Sequence, residues 1–285
     1  MLRWQIGAAS ALSRCKSSAK AHSRRCEGAS NPPMRWRMQG NRARPQMLTD
    51  RFLLNRRGVS LQTEERDLLE SSISQVRKLK ARTTLVHAGE ALAISTLLVE
   101  GMMSRYIDDH KGLRQLVAVH VAGEFVDLHA YPMHRLDHSI GTLTSATIAI
   151  IPHEALRRIL AGREEFARKL WFSTLLDAAL HRAWLFRLGR LDGVGRVAHF
   201  LCETNARLQA VGLSDGRRFA LNLTQTDIAE VCGLTTVHTN RAIRHLRETN
   251  MCLVKASFVD IVDAAGLARR GDFDPGYLYL NTASQ

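Results

Sequence analysis

One segment near the C-terminus restricts the fold of this chain more than any other. Thr224 and Asp227 have the spacing of a capping box, in which each side chain bonds a backbone amide at the start of a helix. Gly233 would stop that helix after about two turns. Thr235 can cap a second helix that runs to about Glu248. Two short helices joined by a tight turn at a glycine form a helix-turn-helix.

The apolar pattern of the segment supports this prediction. Ala229 is small enough to let the two helices approach each other, and Gly233 tolerates a positive φ in the turn. The buried seam is then expected to contain Ile228, Leu234, Thr239, Ala242, Ile243 and Leu246.

The opposite face of the second helix carries side chains that can read DNA. Asn240 can pair with adenine and Arg241 can grip guanine in a bidentate fork, whereas Arg244 is better placed for a phosphate. The alternative is a helical hairpin with a solvated charged face. Two short apolar runs, 251–255 and 258–262, joined by a turn at Ala256 and Ser257, favour a winged helix on double-stranded DNA. The candidate DNA-contacting residues are Thr224, Thr226, Thr235, Thr236, Val237, His238, Asn240, Arg241 and Arg244.

The central part of the chain has a different period. A helix is expected at about 62–76, and between residues 78 and 152 short runs rich in Thr, Val, Ile and Leu follow. Glycines at 89, 101, 112 and 123 separate these runs at intervals of 12, 11 and 11 residues. Strands with turns at this spacing predict an antiparallel sandwich or jelly roll. The expected strands are 83–87, 96–100, 105–107, 116–121 and 147–151, with a hairpin turn at 108–112.

The helical period returns after Pro152. We expect a short helix at 153–160, a long one at 163–188 and another at about 194–210, with a loop at 211–218 before the helix-turn-helix. The long helix is apolar over more of its surface than one packed face requires. This breadth is typical of a core helix, or of a helix that packs both on its own sheet and on a second copy.

The net charge of +13 is concentrated at the start of the sequence. Residues 1–46 hold ten Lys and Arg and one acid, so the rest of the chain is only weakly basic. This segment could be a transit peptide or a disordered basic arm. The favoured interpretation is that the true start is Met47. A signal peptide fits less well because the apolar run is short.

The cysteines indicate the compartment in which the protein works, and the uncharged stretches indicate whether it can span a membrane. The five cysteines are odd in number and lack CxxC spacing, which argues against a disulfide framework and suits a reducing cytoplasm. The longest uncharged stretch, 138–153, has 16 residues and contains Pro152, which excludes a membrane-spanning helix there.

Taken together, these features resemble the Crp/Fnr superfamily of bacterial transcription regulators over about residues 60–280. The resemblance rests on the glycine-spaced sheet, Val-Ala-Gly-Glu-Phe-Val-Asp-Leu-His at 121–129, the long helix, and the winged helix with Asn240-Arg241. It implies an α+β fold with a cyclic-nucleotide-binding-type β jelly roll, a dimerisation helix and a winged helix-turn-helix. The expected domains are a leader (1–46), a sensor (47–160), the dimerisation helix (161–190) and a DNA-binding domain (191–285).

The resemblance also implies partners. Members bind palindromic double-stranded DNA as homodimers, with half-sites about one helical turn apart. They usually contact RNA polymerase through exposed loops, and the loop Gly212–Arg218 is the candidate here.

Two differences from the family pattern affect which ligand the jelly roll can bind. Asp127-Leu128 stands where cyclic-AMP-binding members have Gly-Glu, and Leu136-Asp137 stands where they have a phosphate-gripping Arg-Ser. A cyclic phosphate needs a cation and oriented amides, so no cyclic nucleotide is expected, although Arg135 is adjacent. Residues proposed for an effector pocket of unknown or lost ligand are Gly123, Glu124, Asp127, His129, Arg135, Asp137 and His138.

Two further departures concern an iron–sulfur cluster and base reading. Cys15 and Cys26 lack the clustered spacing of oxygen-sensing members, so no iron–sulfur cluster is expected. Val237 replaces the base-reading Glu that is common in the family; it can touch a thymine methyl but cannot accept from cytosine.

Parts of the sequence are compatible with other functions. His129, His134 and His138 could form a metal or haem-linked site, but surface or core histidines are the simpler interpretation, and no metal is expected. No nucleophile elbow, P-loop or dinucleotide motif is present, so no catalytic residues and no enzyme are expected. The alternatives are a jelly-roll metal-binding enzyme and a non-specific DNA-binding protein that uses the basic leader.

Overall fold

The computed structural model describes residues 47–255 and 257–281, so the basic leader with Cys15 and Cys26, and the wing residue Ala256, lie outside the described residues. Its N-terminal part contains one helix, a set of antiparallel strands and a short helical turn. The elements are α1 (Thr63–Ser71), β1 (Gln75–Leu79), β2 (Thr84–Val86), β3 (Ile94–Glu100), β4 (Met103–Asp108), β5 (Arg114–His120), α2 (Ala130–Met133), β6 (Ser139–Thr142) and β7 (Ala146–Pro152).

The strands form two sheets, ordered β1-β7-β3 and β2-β6-β4-β5, in which the paired strands run antiparallel. Side chains alternate between the two faces of a strand. Leu98 and Ile148 therefore point between the sheets and meet Met103 and Ile140 of the other sheet. Leu97 and Ile151 point to the other side, where Phe52 and the later helices cover them. This is the predicted jelly-roll arrangement.

All five predicted strands are present, and the hairpin turn between β4 and β5 is confirmed. The Asp109 carboxylate accepts from the amides of Lys111 and Leu113 at 2.8 and 2.9 Å, and Gly112 has φ +77°. A side chain that closes its own turn in this way is a local signal, which is why the sequence predicts it well.

The first helix is shorter than predicted, and two strands were missed. The helix expected at 62–76 ends at Ser71, because the Ser72 hydroxyl bonds the Leu69 carbonyl and Ser74 donates to Ile150 of β7. Pairing with β7 draws residues 75–79 into the sheet as β1, including the last two residues of the expected helix. The other missed strand, β6, is only four residues long.

Three helices connect the sheets to the C-terminal domain. They are α3 (His153–Leu160), α4 (Glu164–Arg190) and α5 (Gly193–Ala210), close to the predicted bounds. One face of α4 is buried through Phe166, Leu170, Leu176 and Trp184. Within the part of the chain that the structure describes, no helix is long and apolar enough to cross a membrane.

The C-terminal domain is a winged helix with additional elements. It consists of β8 (Arg218–Ala220), α6 (Gln225–Cys232), α7 (Thr236–Glu248), β9 (Cys252–Val254), β10 (Phe258–Ile261), α8 (Ala264–Arg270) and a 3₁₀ turn (Pro275–Leu278). The strands form one antiparallel sheet, β8-β10-β9. The wing strands β9 and β10 were predicted, whereas β8, α8 and the 3₁₀ turn were not.

The start and the end of the described chain are paired with each other. The Asn55 side chain donates to the Ala210 carbonyl at 2.7 Å, and Arg56 donates to the Leu278 carbonyl at 2.6 Å. The Arg57 amide donates to the Tyr279 carbonyl at 2.7 Å. Residues 55–57 therefore bind the C-terminal domain directly, although they precede the sensor strands in the sequence.

Candidate nucleic-acid interface

The caps of the two helices in the helix-turn-helix are those that the sequence predicts. The Asp227 amide donates to the Thr224 hydroxyl, and the Thr224 amide donates to the Asp227 carboxylate at 2.7 Å, so the capping box is complete. Gly233 ends α6 with φ +59°. Thr235 caps α7 by accepting from the His238 amide at 3.2 Å. These contacts fix the angle at which α7 leaves the turn.

The seam between the helices is also as predicted. Ile228, Ala229, Thr239, Ala242 and Leu246 are buried. Leu234 and Ile243 are partly buried against the same core. With this face packed inward, α7 must present its other face to solvent.

The exposed face of α7 carries the predicted base-reading residues. Thr236, Val237, His238, Asn240, Arg241 and Arg244 are all exposed. The Val237 side chain is 57% exposed among polar neighbours, a position at which an apolar side chain gains nothing in the isolated protein. A thymine methyl would cover it.

The arginines on this face differ in their partners. Arg244 donates to Glu248 one turn later at 2.7 Å, and both side chains are exposed. Exposed pairs of this kind contribute little free energy, so a phosphate can displace Glu248 at small cost. Arg241 and Asn240 make no side-chain hydrogen bond or ion pair within residues 47–255 and 257–281. Their donors and acceptors are therefore available to a ligand.

The sheet that contains the wing adds basic residues that were not among the candidate DNA contacts. Arg217, Arg218 and Lys255 are exposed, and the Arg218 guanidinium lies 4.0 Å from the centre of the Phe258 ring. The Lys255 ammonium lies 5.2 Å from the same ring. Cation–π contacts hold these charges at the edge of the sheet. Strand β8 was not predicted from the sequence, and its pairing with β10 brings Arg218 beside the wing.

The first helix of the motif is held by the N-terminal strands and their turns. Arg82, in the turn between β1 and β2, forms an ion pair with Asp227, and its Nη2 lies 2.6 Å from the second carboxylate oxygen. Burial opposes ionisation of Asp227, but the Arg82 hydrogen bonds keep its pKa below the usual value. Gln115 of β5 donates to the Glu230 carbonyl in α6. Thr224 and Thr226 are exposed at this helix end, and Arg82 also reaches the Thr224 hydroxyl.

Two of the proposed effector-pocket residues serve the packing of the chain. Glu124 binds Arg207 of α5 through two contacts of 2.6 and 3.1 Å, and His120 lies 3.3 Å from the same carboxylate. Burial raises the pKa of Glu124, but Arg207 and His120 outweigh it and hold the pKa well below its ordinary value. Gly123 has φ +92°, and a Cβ there would meet the Arg51 carbonyl at 2.6 Å.

The other five proposed residues fall into two groups. Asp127 is completely buried, accepts from the Thr96 amide at 2.5 Å, and burial raises its pKa to about 7. The His129 and His138 rings lie 5.3 Å apart. Burial lowers the pKa of His129 to about 3. At the surface, the Asp137 carboxylate bonds His138 at 2.8 Å, while Arg135 donates to the Gly89 carbonyl.

A buried arginine that was not singled out from the sequence acts on the two histidines of this group. Arg105 of β4 is 3% exposed, donates to the Val126 carbonyl at 2.7 Å and forms an ion pair with Asp177 of α4. Burial lowers the pKa of both His129 and His138, and the charge of Arg105 lowers it further. Within the described residues, no three His, Cys, Asp or Glu side chains are grouped closely enough to hold a metal ion.

Comparisons with known proteins match both halves of the chain. The model of the cyclic nucleotide-binding domain matches residues 76–163, and the model of the Crp-like helix-turn-helix domain matches residues 195–270. The fumarate and nitrate reduction regulatory protein of Vibrio cholerae is 23% identical over 208 residues, which are 73% of this chain and 83% of that protein.

Further relatives agree with these matches. The cAMP-activated global transcriptional regulator CRP of Salmonella typhimurium is 20% identical over 62% of this chain and 84% of that protein. The structure of FixK2 from Bradyrhizobium japonicum superposes with a TM-score of 0.63 at 20% identity, covering 74% of this chain and 98% of that one. This last likeness shows that the fold is shared.

Proposed function

Since this chain belongs to the Crp/Fnr family of DNA-binding transcription regulators, we propose that it binds a palindromic DNA site as a homodimer and reads each half-site with α7. The observation that carries this proposal is the exposed face of α7, where Val237, Asn240 and Arg241 stand together without partners in the described chain. The exposed Arg217, Arg218 and Lys255 of the wing would bind the flanking phosphates.

The dimer is supported by a stripe along the long helix. Exposed residues of α4 recur at alternating intervals of four and three, at positions 171, 175, 178, 182, 185 and 189. This is the heptad spacing with which two helices pack side by side. Trp171, Leu175 and Leu185 in the stripe are 63%, 52% and 75% exposed in the single chain. A second copy of α4, related by a two-fold axis parallel to the helix, would bury them.

The coupling between sensor and DNA-binding domain would use the contacts already described. Arg207 binds Glu124 of the sensor, and Asp227 binds Arg82 of the sensor. A signal that alters the loop containing Glu124 would therefore bias the position of α5, and with it the separation of the two α7 helices in the dimer.

The residues present do not fit a cyclic nucleotide held in the usual way of the family. Asp137, whose side chain is 83% exposed, would repel a phosphate, and Leu136 beside it is buried. The Glu124 carboxylate is already occupied by Arg207. We therefore propose that the sensor responds to another signal. Titration of the protein with cyclic AMP and cyclic GMP by calorimetry tests this, and saturable binding of either would overturn it.

The transcriptional partner would contact the loop between α5 and β8. Gly212 and Gly216 have positive φ, and the Asp215 carboxylate accepts from the amides of Arg217 and Arg218 at 2.8 and 2.6 Å. The loop thus holds an exposed, defined shape, with Leu213 41% exposed, which suits a contact with RNA polymerase. We also propose that the protein works in a reducing cytoplasm, which the unpaired thiols of Cys202, Cys232 and Cys252 support.

The test is selection of random duplex DNA by the purified full chain, with sequencing of the retained pool. The proposal expects a palindrome whose half-site centres are about 10–11 base pairs apart. A parallel selection with the chain beginning at Met47 should enrich the same palindrome. Retention without sequence preference that is lost from the shorter chain would instead support non-specific binding by the basic leader.

A further inference from the structure

The C-terminal domain contains a cavity that neither the DNA-reading surface nor the sensor uses. Its volume is about 440 Å³, within the range of small-molecule sites. It lies between α5, α8, residues 273–281 and Arg57, and none of the seven proposed effector-pocket residues lines it. The cavity is therefore separate from the sites described above.

The walls of the cavity come from one face of each helix. Cys202, Ala206 and Gln209 share a face of α5, and Ala264 and Ala268 share a face of α8. Because alanine side chains are short, they leave an open space between the two helices. Ile261 and Phe273 complete an apolar floor, which suits the body of an organic ligand rather than a hydrated ion.

The charges around the opening favour an anionic head group. Arg57 is the one cationic side chain that lines the cavity in the described chain, and it is exposed there. The opposing carboxylate, Asp274, already accepts from the Gly276 amide at 2.7 Å. The Arg57 guanidinium makes no hydrogen bond or ion pair with another described residue, so its paired donors can hold a carboxylate.

The thiol at the floor does not offer covalent chemistry. Burial raises the pKa of Cys202 to about 12, so the thiol is protonated at physiological pH. The thiolate is the reactive form. The site is therefore suited to reversible binding.

From this arrangement we propose that the cavity binds a small amphipathic carboxylic acid, with its apolar part between α5 and α8 and its carboxylate on Arg57. Residues 205, 206 and 209 flank Arg207, which joins α5 to Glu124. A bound acid would thus contact the helix that links the DNA-binding domain to the sensor. The proposal concerns binding in the free protein, so it stands or falls independently of DNA recognition.

Calorimetric titration of the full chain with sodium benzoate and sodium octanoate tests the proposal. At least one acid should bind with a Kd of about 1 mM or lower. The matching alcohols, benzyl alcohol and octanol, should bind at least about tenfold more weakly, because a charge-assisted contact is lost. Absence of binding by both acids, or equal binding of acid and alcohol, would overturn the proposal.

Two variants locate the site. Arg57→Gln should weaken binding of the acid about tenfold, because it removes the charged donors that hold the carboxylate. Arg57 is exposed, so the substitution leaves the core intact. Ala206→Leu should fill the cavity and abolish binding. The control Arg77→Gln removes an exposed arginine from β1 and should leave the affinity unchanged. If Arg57→Gln binds the acid as tightly as the unaltered chain does, the head-group assignment is wrong.

Discussion

Arg207 of α5 donates to the Glu124 carboxylate at 2.6 Å, and this contact ties the DNA-binding domain to the sensor loop that follows β5. Arg207 is 3% exposed and also donates to Glu203 and to the Val119 carbonyl. Glu124 was proposed from the sequence as a ligand-binding residue. In the fold its carboxylate binds Arg207 of the other domain, so this loop forms part of the domain interface.

Removing Arg207 should therefore destabilise the protein. Arg207→Met leaves the partly buried Glu124 carboxylate and the fully buried Glu203 carboxylate without their arginine partner, and we expect a loss of about 3–5 kcal/mol in the free energy of unfolding. Urea denaturation measures this. The control Arg244→Gln breaks an exposed pair on α7 and should cost less than about 1 kcal/mol. Equal losses for the two variants would show that the Arg207 pair is not the main link.

The stability of the protein should depend on the ionisation of Asp127. Burial raises its pKa from 3.8 in the unfolded chain to about 7 in the folded one, so folding takes up a proton between these values. The resulting stability is complete below about pH 4 and is lost as the pH rises through 7. The total is on the order of 4 kcal/mol.

Asp127→Asn isolates this contribution, because the amide does not titrate. The stability of the unaltered protein relative to Asp127→Asn should fall between about pH 4 and pH 8. Urea denaturation of both proteins across that range gives the difference at each pH. A difference that is constant with pH would mean that Asp127 ionises normally in the folded state.

A charge in the α4 stripe should break the proposed dimer. Leu175→Glu would place two carboxylates within an apolar seam, which predicts monomers in sedimentation velocity experiments. Arg190→Gln changes the net charge equally at an exposed position outside the stripe and should leave the dimer intact. A dimer that survives Leu175→Glu would place the interface elsewhere on the chain.

Replacing Arg182 should instead strengthen the proposed dimer. It occupies a stripe position between Ala178 and Leu185 and is exposed in the single chain. Around the proposed two-fold axis the two Arg182 side chains would face each other, and a polar residue at such a position costs stability. Arg182→Leu should therefore lower the dissociation constant of the dimer, by about tenfold or more. Weaker association of this variant would argue against the stripe.

The sequence predicted best those features whose signals are local. The caps at Thr224 and Thr235, the αL turn at Gly233 and the Asp109 hairpin each depend on side chains within a few residues of the backbone that they bond. The exposed and buried faces of α7 follow from helical spacing alone. The two caps and the turn at Gly233 orient α7, so the surface proposed to read DNA was predictable from the sequence.

The features that were not predicted from the sequence depend on contacts between residues that are distant in the chain. Strand β1 forms because β7 is available to pair with it, and β8 forms because β10 is. The pairing of Glu124 with Arg207 joins positions 83 apart in the chain. No local pattern distinguishes a carboxylate that will bind a ligand from one that will bind another domain, which explains why the proposed effector pocket is divided in the fold.

Repeating the DNA selection with Val237→Glu tests most directly whether α7 reads base edges. Val237 is exposed on the outer face of α7, so the substitution should leave the fold unchanged. Glutamate accepts a hydrogen bond from cytosine, whereas valine contacts a thymine methyl. We predict that the enriched palindrome changes at one symmetry-related base pair in each half-site, towards cytosine on the contacted strand. Enrichment of an unchanged palindrome would contradict base reading by this face of α7.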